Sequence, residues 1–119
     1  MPKYLIQASL TAEGSKGLLK EGGSKRPEAV KRAMEDIGAK LEAFYFAFGE
    51  ADVYAIVDAP DNISITAFAL AVNASGAVHM KTVVLLTPEE VDRARQEEHQ
   101  LPPTWVVEAT IKTLRLQQK

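Results

Sequence analysis

The period of the hydrophobic positions changes along the chain, and each change marks an element. Tyr4, Ile6, Ala8 and Leu10 alternate with Lys3, Leu5, Gln7 and Ser9, the two-residue period of a strand. Thr11 ends that strand and can cap a helix. A weaker helical pattern follows from Ala12 to Lys20, and Gly22 with Gly23 interrupts it, because two adjacent glycines together lose about 2 kcal/mol of helix propensity relative to alanine. Ser24 restarts a helix. Pro27 is tolerated in its first turn, and Val30, Ala33, Met34 and Ile37 then recur at the spacing of a core-facing stripe before Gly38 stops the run.

The stretch LEAFYFAFGEADVYAIVD, residues 41–58, reads as a β-hairpin. Leu41, Ala43 and Ala47 alternate with Glu42, Phe44, Phe46 and Phe48, the sequence Gly49 to Asp52 supplies a turn, and Val53 to Val57 supplies the return strand. A bulge in the hairpin would exchange the faces, so the pattern leaves the register open. Asp61 or Asn62 then caps a helix whose expected inward stripe is Ile63, Ala67, Leu70, Ala71 and Ala74, with Gly76 as its end. Ile65, Phe68 and Val72 lie off that stripe, which makes the helix apolar around much of its circumference. Ala77 to Leu86 alternates again, with His79, Lys81, Val83 and Leu85 on one face and Val78, Met80, Thr82, Val84 and Leu86 on the other.

The order βαββαβ predicts an α+β, ferredoxin-like sandwich, a four-stranded antiparallel sheet with two helices on one face. The opposite face carries apolar side chains and is expected to meet a second copy, giving a homodimer or higher homo-oligomer with a dimeric α/β barrel. Residues 1–87 are assigned to this domain and 88–119 to a C-terminal helical extension that docks on the domain or on a partner subunit. Thr87, Pro88 and Glu90 form a helix start box. Pro102 and Pro103 enforce a break. Residues 104–116 suit a strand or a helix, with helix favoured, and Trp105 is the expected anchor of the tail.

Composition narrows the function classes. A chain of 119 residues supports one core, and a formal charge of -2 supplies no electrostatic reason for a nucleic-acid or membrane partner. The absence of cysteine removes disulfides, thiolate metal sites and cysteine nucleophiles. The start MPKYLIQASL lacks a signal-peptide layout and no apolar run approaches a bilayer's span, so a cytoplasmic location is the expectation.

The stretches KYLIQASLTAEGSKGLLKEGGSKRPEAV, GAKLEAFYFAFGEADVYAIVDAPDN and ASGAVHMKTVVLLTPEEVD resemble the GYD-domain family of small bacterial and archaeal proteins, over roughly residues 1 to 95. The resemblance implies a ferredoxin-like fold related to dimeric α/β-barrel proteins and carries no established activity. Gly49 and Asp52 match the name-giving motif, whereas Ala51 stands where tyrosine is expected.

Candidate chemistry is sparse. His79, mid-strand beside Lys81, is the candidate general base, proton shuttle or metal ligand. The other histidine, His99, lies in a polar tail without metal-ligand spacing to it, so no metal and no cofactor is expected, and a structural histidine is the plainer reading. Gln7, Tyr45, Tyr54 and Asp58, with His79 and Lys81, are candidates to line a small-molecule site, though core and interface packing explains the tyrosines equally well. Lys20, Gly23, Ser24, Lys25 and Arg26 place cations and flexible backbone at a helix N-terminus, an anion-binding arrangement that lacks Walker spacing and also reads as a solvated basic corner. Three classes follow: an oligomeric small-ligand binding or sensing protein, a cofactor-independent oxygenase or isomerase using His79, and a non-catalytic interaction module. The last is favoured if Phe44, Phe46 and Phe48 fill the barrel.

Overall fold

In the computed structural model, which describes residues 1–97 and 103–117, β1 (Lys3–Leu10) leads into α1 (Ala12–Glu21) and α2 (Lys25–Asp36). The hairpin β2 (Lys40–Phe46) and β3 (Val53–Asp58), α3 (Asn62–Ala74) and β4 (Val78–Leu85) complete the first unit, Met1–Leu86. The strands pair antiparallel in the order β2-β3-β1-β4, the ferredoxin-like arrangement expected, with the helical crossover broken into α1 and α2. Gly22 makes that break at φ 78°, and its amide donates to the Leu18 carbonyl.

One face of the sheet carries Tyr4, Ile6 and Ala8 from β1 and Val53, Ala55 and Val57 from β3, all buried. Met34 of α2 and Ile65 of α3 close over them, with Val30, Ile37 and Phe68 packed alongside. Burial of a side chain of this kind contributes roughly 1.5–3 kcal/mol each. Tyr4 reaches through this layer so that its hydroxyl donates to Asn62 Oδ1 at 2.5 Å, and burial, then the nearby Asp61 charge, raise its pKa.

Three sequence expectations need correction. The bulge falls in β2, between Leu41 and Ala43, so Leu41 shares the helix-side face with Phe44 instead of pointing away from it. Phe44 and Phe46 pack edge to face at 5.3 Å, and Phe46 covers Gly23, while Phe48 belongs to the turn and is fully exposed. Those rings therefore do not line the open face. The third correction concerns α3, which turns Ile65, Phe68 and Val72 inward and leaves Ile63 and Leu70 exposed. Both stripes satisfy the helical period. The rotation is set at the helix ends, where Asp61 caps the Ser64 amide, Asn62 receives the Tyr4 hydroxyl and Asn73 Oδ1 receives the Met80 amide of edge strand β4.

The second unit, Thr87–Lys119, contains α4 (Pro88–Gln96) and α5 (Pro103–Gln117). Thr87 and Glu90 close a reciprocal capping box, which lowers the Glu90 pKa through the Thr87 amide. Residues 103–117 form a helix, the favoured of the two readings. The expectations for His99 and for the Trp105 side chain lie outside the described residues. No described helix is long and apolar enough to cross a membrane.

Candidate functional site

The open face gathers four of the six ligand candidates into one cross-strand row. Tyr45 pairs with Tyr54, Tyr54 with Gln7, and Gln7 with Lys81, so the row crosses all four strands. His79 lies one step along, opposite Ser9. Gln7, Ser9, Tyr54, His79 and Lys81 with Glu50 and Ala51 from the hairpin turn line a polar cleft of about 110 Å³. Asp58 lies apart, four residues along β3 from Tyr54, or about 13 Å at the rise of a strand. There it accepts from Lys3 Nζ at 2.9 Å, while Lys3 also donates to Glu42. These contacts, Glu42 first, raise the Lys3 pKa. Among the described residues no group of three or more His, Asp or Glu is placed to hold a metal ion.

A larger space lies on the other side of the sheet, under the helices. It is a cavity of about 460 Å³ with a floor of Ile6, Ala8, Val53, Ala55 and Val78. Val30 and Ala33 of α2 form one wall, and Phe68, Ala71 and Val72 of α3 form the other. Exposed Ala29, Ala71 and Ser75 stand at its rim, so the space opens to solvent between the two helices. Small side chains keep it open: Ala8 and Ala55 on the sheet, Ala29 and Ala33 on α2, Ala71 on α3 and Ala77 before β4. Protein interiors are otherwise packed to crystal density with few voids larger than a water molecule. Of the residues that line it, Arg26 alone is a candidate from the sequence, and there it belongs to the basic corner. The alanines that form the cavity are spread over separate elements, and in the sequence they read as ordinary helix and strand filler.

The basic corner is divided by the fold. Lys20 lies in the last turn of α1, exposed Gly23 and Ser24 connect α1 to α2, and exposed Lys25 opens α2. Ser24 makes no side-chain cap. Arg26 alone of this group turns inward, half-buried, and lines the apolar cavity with its guanidinium over Gly17, where a Cβ would lie 3.8 Å from Nη2.

The GYD domain family model matches residues 4–94, which include all of the sheet but Lys3, the residues that line the polar cleft and the apolar cavity, and most of α4. The chain belongs to the GYD domain family. No curated protein and no solved structure matches it. In this GYD domain the motif aspartate is structural. Asp52 Oδ2 accepts from the Leu10 amide at 2.8 Å, its own amide donates to the Ala8 carbonyl, and its carbonyl receives the Ala47 amide. It thereby stitches the hairpin turn to the end of β1. Ala51, at the position where tyrosine was expected, is buried and borders the polar cleft.

Proposed function

We propose that this GYD protein binds a small apolar ligand without turning it over, and that the ligand sits between α2, α3 and the helix-side face of the sheet. The observation that carries this reading is the cavity of about 460 Å³ with an almost wholly hydrocarbon lining. Its size falls in the range of about 300–1,000 Å³ typical of small-molecule sites. An apolar cavity of about 150 Å³ already accepts benzene in preference to water. A neutral fluorescent probe such as N-phenyl-1-naphthylamine is expected to bind one to one with enhanced emission. Ala71→Phe, which places a ring at the rim, is expected to lower that affinity by about tenfold or more while leaving the melting temperature unchanged or higher. Equal affinity in the parent and in this variant, with both folded, would place the probe elsewhere.

A second reading rests on the polar cleft. Gln7, Tyr54, His79 and Lys81 meet on the open face beside the apolar row Ala43, Ile56, Leu5 and Val83, which are cross-strand neighbours. Two copies joined through that row would bury it and enclose the cleft, providing His79 with a sheltered site for acid–base chemistry. Sedimentation at micromolar concentration is then expected to give twice the 13.0 kDa subunit mass. A subunit that stays single would remove the shared chamber and His79's place in it.

A further inference from the structure

We propose that the ligand of the apolar cavity is an amphipathic carboxylate, its hydrocarbon part lying between α2 and α3 and its head held by Arg26. This deepens the small-ligand reading above and rests on it. Two of the side chains that line the cavity are polar, Arg26 and Ser75. Ser75 is already committed, since its hydroxyl donates to the Val72 carbonyl at 2.6 Å and accepts from the Ala77 amide at 3.3 Å. Arg26 makes no ion pair with any described residue. Half-burial lays the stem of Arg26 on apolar surface and leaves its rigid fork of donors at the cavity's edge without a partner among the described side chains. An unpaired guanidinium at the edge of a hydrocarbon-lined cleft is therefore a charge for which the bound molecule can supply the partner.

The head group follows from the same geometry. The planar fork of arginine matches a carboxylate with two parallel hydrogen bonds. A phosphate monoester carries between one and two negative charges and three acceptor oxygens, and calls for more than one cation. Lys20 and Lys25 are exposed and do not line the cavity. One guanidinium therefore suits a monoanion, and the remaining apolar surface suits an alkyl or aryl body.

The test is isothermal titration of the full chain with decanoate, decanol and decylamine near neutral pH. The expected result is that decanoate binds about tenfold more tightly than decanol, the factor one charge-assisted hydrogen bond contributes, with decylamine the weakest. Arg26→Gln is expected to bring decanoate down about tenfold, and Arg26→Lys to recover part of that loss. Arg32→Gln, an equal charge change on an exposed position of the same helix outside the cavity, is expected to leave decanoate affinity as it was. Equal affinity for decanoate and decanol in the parent would overturn the head-group assignment and leave the cavity reading standing. So would equal losses in Arg26→Gln and Arg32→Gln. If neither decanoate nor decanol binds, both readings fail together.

Discussion

Gly14→Ala is expected to lower the melting temperature by about 10 °C, although alanine is the better helix former by about 1 kcal/mol. A Cβ on Gly14 would stand 2.1 Å from the Ala77 carbonyl oxygen and 3.1 Å from its carbon. That carbonyl is not free to retreat. It accepts from the Thr11 amide at 3.0 Å and from the Thr11 hydroxyl at 3.0 Å, the contacts that dock the start of α1 on the entry to β4. Relief requires α1 to lift away, giving up hydrogen bonds worth about 1 kcal/mol each together with the packing of Leu10. The net destabilisation is about 2 kcal/mol, read by circular dichroism as the melt shifts. Gly23→Ala provides the contrast: its Cβ would meet the outer edge of the Phe46 ring at 3.3 Å, a side chain that can turn aside. A Gly14→Ala protein as stable as the parent would show that α1 does not press on β4 as described.

Met34→Ala is expected to cost about 2–5 kcal/mol in denaturant unfolding, with little change in the slope of free energy against denaturant. Met34 is fully buried on α2 and touches the cluster that includes Tyr4, Val57 and Ile65. Methionine and alanine differ little in helix propensity, so the loss reports packing and the cavity left behind. Val30, one turn earlier on the same helix, borders a space that is already open, and Val30→Ala is expected to cost clearly less. Equal losses at the two positions would mean that the cleft beside Val30 is closed in solution.

The fold could be read from the chain because its signals agree locally. Strand alternation in β1 and β4, the glycine break after α1 and the Thr87 box each point to one structure. Sequence and structure part where two solutions satisfy the same period. Leu41 and Phe44 share a face because of one inserted residue, and nothing in the alternation marks where the insertion falls. In α3, Ile63 and Leu70 repeat as regularly as Ile65 and Phe68, and long-range contacts from Tyr4 and Met80 decide between them. The candidate site on the open face was legible in part. Gln7, His79 and Lys81 line one cleft with Tyr54, whose face the open hairpin register had left undecided, but Asp58 is engaged by Lys3 at the far end of the sheet. The apolar cavity was not legible at all. Its walls are alanines that signal nothing singly, and its one charged side chain, Arg26, stands in the sequence among basic neighbours from which the fold separates it.

Hydrocarbon binding beneath the helices, rather than on the uncovered side of the sheet, is the claim on which the functional proposals stand. Methyl-resolved NMR during titration with decanol tests it most directly. Shifts concentrated at Ile6, Val30, Ala71 and Met80 are the predicted result. Shifts concentrated at Leu5, Ile56, Val83 and Leu85, with the first set unmoved, would contradict it.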